Sequence, residues 1–153
     1  MDVKTILWPT DLSSVSLQAA PHVLSLSQKY GANVVVLYVA IDLCNYFPAY
    51  GNYPSRNIVQ EFQSWEVEQA KTKLEGLCER ELKACPNVRI RLLQGDPVEE
   101  ILASVKKENA QMIVLTTRGH GQDKKGMTKE LGSTAEMIVK NAFVPVVTVS
   151  PEA

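Results

Sequence analysis

The chain has 153 residues, of which 45% are hydrophobic and 22% charged, and its formal net charge is −1. This length predicts a single domain over residues 1–153, able to bury roughly 68–70% of its unfolded surface. The sequence has no broad basic field, so we expect neither a nucleic-acid nor a membrane partner. It shows no basic leader and no apolar run near the ~18 residues of a membrane span, so we expect a cytoplasmic protein.

Five short segments rich in β-branched residues are predicted as strands. They are Lys4–Pro9, Asn33–Val39, Val88–Leu93, Met112–Thr116 and Val144–Val149. Three of them are nearly continuous apolar runs, which is typical of parallel strands covered by helices on both faces. The third strand alternates between apolar and polar residues, which predicts that it is more exposed.

Helical periodicity fills the gaps between the first three strands. Apolar residues follow helical spacing over Leu17–Tyr30, where the pattern stops at Gly31, and over Ile58–Leu82, where it stops before Pro86. Pro21 lies inside the first of these helices. We expect it to kink that helix, because proline removes a hydrogen bond and its ring clashes with the preceding turn.

Two further helices have marked starts. Asp96, followed by Pro97 and Glu99, predicts a capping box at the start of the third helix. Ser133, with Glu136 three residues later, predicts a second capping box for the fourth. Strand and helix therefore alternate along the chain, which predicts βαβ units and an open parallel sheet.

In open parallel sheets, ligands bind beyond the carboxyl ends of the strands. The loop after the fourth strand leads to Gly132, Ser133 and Thr134, where a helix start could hold an anion. Four cations against two carboxylates give this loop an excess of two positive charges, from Arg118, Lys124, Lys125 and Lys129 against Asp123 and Glu130. The residues alone leave two interpretations open, a phosphate site or an ordinary helix start with solvated lysines.

Other candidate residues also have two interpretations. Asp11, which follows the first strand, could contact a ligand or cap the next helix. The segment 42–57 carries four aromatic residues and is either an ordered loop or a flap over the crevice. Neither His22 nor His120 has a nucleophile or metal partner at a usable spacing, and the three cysteines form no C-x-x-C pair, so no catalytic residue and no metal site is predicted.

Three stretches together resemble the universal stress protein family over nearly the whole chain. They are ILWPTDLSSVSLQAA, GDPVEEILASVKKENAQMIVLTTRG and GSTAEMIVKNAFVPVVTVS. The resemblance implies an α/β fold of the Rossmann-like, adenine nucleotide alpha hydrolase-like type, with five parallel strands in the order 3-2-1-4-5 and helices on both faces. It also implies a homodimer, and one branch of the family binds ATP through a G-x-x-G, nine-residue, G-[ST] loop.

The resemblance implies a nucleotide site with the base near the first two strands and the phosphates near the fourth helix. The residues it assigns to that site are Pro9, Thr10, Asp11, Val39, Thr116, Gly119, Gly132, Ser133 and Thr134. The pattern departs from the family twice, because Thr116 replaces the first glycine and twelve residues separate Gly119 from Gly132. If that glycine serves positive φ, threonine costs about 1–2 kcal/mol, and a total penalty of about 1–3 kcal/mol weakens binding roughly 5- to 150-fold.

The function expected from the resemblance is a dimeric regulatory module of the stress response that binds ATP, with Mg²⁺, or AMP weakly. The alternative is a dimeric interaction protein of the same fold that binds no nucleotide. An enzyme is not expected beyond slow ATP hydrolysis, because no general base is evident and the further residues of adenylyl-transferring ligases are missing. The apolar edge Val144–Val149 predicts the dimer contact.

Overall fold

The computed structural model describes residues 1–42, 56–117 and 131–151. The described strands are β1 (Thr5–Pro9), β2 (Asn33–Ala40), β3 (Val88–Gln94), β4 (Met112–Thr116) and β5 (Val146–Val149). The described α-helices are α1 (Ala20–Tyr30), α2 (Arg56–Glu81), α3 (Pro97–Lys107) and α4 (Ser133–Asn141). Within these ranges, no helix has the length and apolar character that crossing a bilayer requires.

The five strands form one parallel sheet in the order β3-β2-β1-β4-β5, which confirms the predicted α/β fold. The order reverses at β1, because β2 lies on one side of it and β4 on the other. The edges of the sheet are therefore β3 and β5. Strand β3 is half-buried along most of its length, as its alternating sequence predicts.

Alternate residues of β1 face the two hydrophobic cores of the protein. Trp8 packs with Val23 of α1 and Leu74 of α2 in a core on one face of the sheet. Leu7 packs with Ile101 of α3 and Ile138 of α4 in the core on the other face. The period of two along a strand therefore divides the helices into two layers, and covering both faces explains why β1 is almost entirely apolar.

The predicted kink at Pro21 is wrong. Residues Ser16–Ala19 form a short 3₁₀ helix, and α1 begins at Ala20, so Pro21 lies in the first turn of α1. Proline is tolerated there because its missing N–H would have no partner within the helix. The predicted end of the helix is confirmed, since Gly31 closes α1 with φ of 63°, a conformation that glycine adopts without strain.

The two predicted capping boxes have different outcomes. The carboxylate of Asp96 accepts a hydrogen bond from the Glu99 amide at 3.0 Å, which confirms the N-cap of α3. In α4 the N-cap is Gly132 and not Ser133, which is the first helical residue, and the cap makes no side-chain hydrogen bond. The physical reason is that the Gly132 amide donates to the carbonyl of Thr117 at 2.6 Å, which fixes the start of the helix one residue earlier than predicted.

The edge strand β3 is joined to the end of α3 by an ion-pair cluster. Arg91 Nε donates to Glu108 Oε1 at 2.6 Å, and Arg89 Nη2 lies 3.4 Å from Glu108 Oε2. The Glu108 side chain is only 11% exposed, so its buried charge depends on these arginines for compensation.

We expect Glu108→Ala to lower the free energy of unfolding by about 1–3 kcal/mol, because it leaves two partly buried guanidinium groups without their acceptor. Urea denaturation followed by circular dichroism measures this change. The matched control is Glu136→Ala, which removes the exposed pair that Glu136 makes with Lys140 at 2.8 Å on α4 and should leave stability nearly unchanged. Equal effects of the two substitutions would contradict a structural role for the cluster.

Candidate functional site

A cavity of about 470 Å³ opens at the carboxyl ends of β1, β2 and β4, on the face of the sheet covered by α3 and α4. Its volume lies within the ~300–1,000 Å³ typical of small-molecule sites. Eight of the nine predicted site residues line it: Pro9, Thr10, Asp11, Val39, Thr116, Gly132, Ser133 and Thr134. The ninth, Gly119, lies outside the described residues, as do the cationic loop residues and the aromatic residues of the possible flap.

The wall formed by the turn after β1 is held by Thr10. Its amide donates to the carbonyl of Leu37 in β2 at 2.9 Å, and its hydroxyl lies 2.7 Å from the hydroxyl of Ser16 in a buried hydrogen bond. The same hydroxyl accepts from the amide of Leu12, which has a positive φ of 64°. Positive φ costs a residue other than glycine conformational energy, and these hydrogen bonds help to offset that cost in the turn.

Asp11 is part of the same turn and stabilises it through Ser13. Its Oδ1 accepts from both the amide and the hydroxyl of Ser13, at 2.9 and 2.6 Å. The Ser13 hydroxyl in turn accepts from the amide of Ser16, at 3.0 Å, at the start of the 3₁₀ helix. Asp11 therefore stabilises the turn through Ser13, whereas the N-cap of the 3₁₀ helix, Val15, has no side-chain hydrogen bond, so the predicted helix cap at Asp11 is not confirmed. The residue also faces the cavity.

The charge of Asp11 affects a titratable residue on the opposite face of the sheet, Tyr38. The pKa of Tyr38 is raised above its ordinary value. Burial is the largest cause, the Glu66 carboxylate 3.4 Å from the Tyr38 hydroxyl is the next, and the charge of Asp11 is the smallest. Tyr38 therefore stays neutral and donates its hydroxyl hydrogen to Glu66. Asp11 is the only charged residue in the described lining of the cavity.

Thr116 does not carry the backbone strain expected of a glycine replacement. It is the last residue of β4 and pairs in register with Val149 of β5. Among the described residues other than glycine, positive φ occurs only at Leu12 and Asn109. The expected cost of a threonine at positive φ therefore does not arise, and the effect of Thr116 at the cavity is that of its side chain.

The following residue, Thr117, joins three elements at the cavity. Its amide donates to the carbonyl of Val149 at 3.0 Å, and its carbonyl accepts from the amide of Gly132 at 2.6 Å. These bonds bring the beginning of α4 to the ends of β4 and β5. Gly132 has φ of −60° and ψ of 153°, values that any residue can adopt, so the backbone conformation does not by itself require glycine there.

The start of α4 supplies the positive end of the site. The N-cap makes no side-chain hydrogen bond, and Ser133 and Thr134 in the first turn line the cavity. Free amides at a helix start carry a partial positive charge that favours an anion. In the described lining, an anion would therefore meet amides and hydroxyls and no cationic side chain. Metal binding has no comparable support, because no group of three or more potential ligands occurs within the described ranges.

Half of the residues that line the cavity were not predicted from the sequence. The missed residues are Ser16, Leu37, Pro97, Ile101, Leu115, Thr117, Ala135 and Ile138. A signal was present for Leu37, because it lies two residues before the predicted Val39, and a period of two keeps such residues on one face of a strand. Pro97 follows β3, at the same edge of the sheet as the other predicted segments. Ser16 had no comparable signal, since only the fold of the turn brings it to Thr10.

A family model and two sequence relatives place the chain in the same family. A model of the universal stress protein family matches residues 2–150. A universal stress protein of Methanocaldococcus jannaschii is 33% identical over 149 residues, covering 95% of this chain and 81% of that protein. One from Thermus aquaticus is 31% identical over 147 residues, covering 95% and 98%.

Solved structures of low identity show the same fold. The universal stress protein UspA of Lactobacillus plantarum has a TM-score of 0.78 at 22% identity, covering 97% of this chain and 99% of that one. A universal stress protein in complex with cAMP has a TM-score of 0.68 at 15% identity, covering 98% of each chain. The protein of Archaeoglobus fulgidus in complex with dAMP has a TM-score of 0.62 at 18% identity, covering 97% and 98%.

We expect Thr10→Val to lower the free energy of unfolding by about 1–3 kcal/mol, because the variant keeps the shape of the side chain but leaves the Ser16 hydroxyl and the Leu12 amide without their partner. Thermal denaturation without ligand measures the change. Thr72→Val is the control, since the Thr72 hydroxyl donates only to the Glu68 carbonyl on the exposed surface of α2. If the two variants were equally stable, the turn would not depend on Thr10.

Proposed function

The chain belongs to the universal stress protein family, and we propose that it is a dimeric regulatory module that binds an adenine nucleotide in the cavity at the carboxyl ends of β1 and β4. The observation that carries the proposal is the start of α4, which opens on this cavity without a side-chain cap. The relatives in complex with cAMP and dAMP support a ligand of the AMP class.

In this proposal the base lies near Asp11 and Val39, and the phosphate lies near residues 132–134. An aliphatic wall beside a carboxylate suits a base, which has an apolar face and exocyclic N–H donors. The helix start suits a phosphate because its amides and dipole favour negative charge. The reverse orientation would bring the phosphate against the Asp11 carboxylate, which repels it.

The same charges bear on the choice between AMP and ATP. The described lining offers Asp11 as its one carboxylate, and Oδ1 of that residue already accepts two hydrogen bonds from Ser13. Mg²⁺ bound with ATP would therefore be held mainly by the phosphates. We propose weak binding, because Thr116 places a side chain where the family's motif has glycine and the following loop is three residues longer than the motif.

We propose that the protein signals by binding and does not turn over a substrate. A general base must be within hydrogen-bond reach of the group that it activates. Asp11 is the one charged side chain in the described lining. The proposed orientation places it near the adenine ring and away from the phosphate. Hydrolysis of bound ATP would therefore be slow.

A second candidate function is a dimeric interaction protein of the same fold that binds no nucleotide. The threonine at position 116 favours it. The two candidates are separated by the ligand content of the purified protein, released by acid and identified by mass spectrometry. Bound adenine nucleotide supports the first candidate, and its absence together with no heat of binding in titration calorimetry with AMP and ATP supports the second.

Ser133→Ala tests the position of the phosphate. We expect it to weaken the binding of AMP and ATP by about 10- to 100-fold, the value of one hydrogen bond to a charged group, and to leave the binding of adenosine nearly unchanged. Titration calorimetry with the three ligands measures this. Ser64→Ala, on the exposed face of α2, is the control. An equal loss for adenosine would exclude a role of Ser133 at the phosphate.

The proposed dimer forms through the edge strand β5. Its valines Val146, Val147 and Val149 are half-buried within one chain, and the nearby Phe143 is 97% exposed. An apolar edge strand favours pairing with a second chain. Pro145 has no N–H to donate, so we propose that the contact centres on Val146–Val149, with two copies antiparallel about a two-fold axis.

We expect Val147→Lys to give monomers, because it places a charge at the centre of the proposed contact. Sedimentation velocity of wild type and variant, at tens of micromolar, measures the change. Tyr30→Lys adds the same charge at the end of α1, where Tyr30 is also part-exposed, and should leave the dimer intact. A monomeric wild-type chain would refute the dimer, and a dimeric Val147→Lys variant would place its interface elsewhere.

A further inference from the structure

The first turns of α2 carry an apolar stripe that the described part of the fold leaves exposed. Ile58, Phe62 and Trp65 are 57%, 54% and 58% exposed. Their spacing of i, i+4 and i+7 places them on one side of the helix. The helix packs on the sheet through a different side, on which Val59 and Ala70 are buried, so α2 does not need the stripe for its own packing.

The stripe has the composition of a binding surface. The rings of Phe62 and Trp65 contact each other with centroids 6.0 Å apart and planes inclined by 34°, so they form one continuous aromatic surface. Contiguous exposed apolar patches in proteins usually mark interaction sites, and tryptophan is among the residues that dominate the binding energy of interfaces. Single exposed apolar residues need no such explanation, but three on adjacent turns do.

The charges around the stripe restrict what can bind to it. The charged residues beside it are Glu61, Glu66 and Glu68, of which the first and last are exposed. From Ile58 onward, the first basic residue along the helix is Lys71. Two copies of this surface would place carboxylates against carboxylates, and an anionic membrane would also be repelled. A partner with positive charges beside an apolar surface is complementary in both respects.

We propose that this stripe is a docking site for an amphipathic helix of another protein, whose apolar side is flanked by lysine or arginine. From Ile58 to Trp65 the helix rises about 10 Å, which matches two turns of a partner helix with apolar residues at i, i+4 and i+7. The aromatic surface supplies the affinity, and the carboxylates select the charge of the partner. This site is separate from the cavity, which lies on the other face of the sheet.

The two tryptophans make the docking directly measurable. Trp8 is fully buried and Trp65 is 58% exposed, so a change in emission on binding reports on Trp65. The probes are three synthetic peptides: a helix with leucines at i, i+4 and i+7 and lysine flanks, the same helix with glutamate flanks, and a scrambled lysine peptide. We expect a blue shift with the first peptide and an affinity about tenfold or more above that of the other two, decreasing with added salt.

Variants separate the apolar and the charged contributions. Phe62→Gln should weaken the binding of the lysine-flanked peptide about tenfold. Met137→Gln, which replaces a part-exposed residue of α4, should have no effect. The double variant Glu61→Lys/Glu68→Lys should reverse the preference, so that the glutamate-flanked peptide binds more tightly.

Four results would overturn the proposal. The first is equal binding of the scrambled and patterned peptides. The second is binding of the protein to vesicles of phosphatidylserine that is as tight as its binding to the lysine-flanked peptide. The third is a dimer that Phe62→Gln dissociates, which would make a second copy the occupant. The fourth concerns quenching of Trp65 fluorescence by acrylamide in the free protein. If Trp65 is protected in the full chain and loses that protection when residues 43–55 are deleted, the chain's own segment is the occupant.

Discussion

The parallel pairing of β1 with β2 on one side and β4 on the other is the constraint on which the cavity depends. Parallel strands need crossover connections, and the connections to the two sides of β1 place their helices on opposite faces of the sheet. The chain therefore diverges at the carboxyl end of β1 and leaves a crevice there. The turn after β1 and the start of α4 are the segments that border it, which is why residues separated by more than 120 positions, such as Thr10 and Ser133, line one cavity.

Hydrogen bonds of two kinds turn this crevice into a shaped site. Side-chain hydroxyls and the Asp11 carboxylate fix the turn after β1, and the backbone of Thr117 fixes the start of α4. The backbone hydrogen bonds of Thr117 depend on no side chain, so substitutions at Thr117 can change the lining of the cavity and retain the position of α4. The first kind depends on particular hydroxyls, so the turn and the site share the same residues. A substitution at Thr10 therefore affects both the stability of the turn and the shape of the cavity.

The sequence predicted the sheet, its order and eight residues of the cavity, but it did not predict which local contacts would prevail. Strand order came from a family resemblance, because βαβ alternation by itself does not determine which strands are neighbours. The kink at Pro21 was wrong because a 3₁₀ turn moved the start of α1 to the proline. The cap at Ser133 was wrong because the Gly132 amide bonds to Thr117, a contact between residues fifteen positions apart that no local pattern reveals. Local signals succeeded where the partner is local, as at Asp96.

The cavity and the stripe on α2 lie on opposite faces of the sheet, and the strength of the contacts between them decides whether they act together. The route between them runs from Asp11 to Tyr38 and from Tyr38 to Glu66, beside Trp65. Along it, Asp11 is the weakest of the influences on the Tyr38 pKa, after burial and Glu66. The Tyr38 hydroxyl is also 3.4 Å from Glu66, which is long for an O–H···O hydrogen bond. Coupling between sites requires an element with two alternative arrangements, and the strands that separate the two surfaces, β1 and β2, are packed on both faces. We therefore expect a ligand in the proposed nucleotide site to leave the affinity of the proposed docking stripe for a helix unchanged.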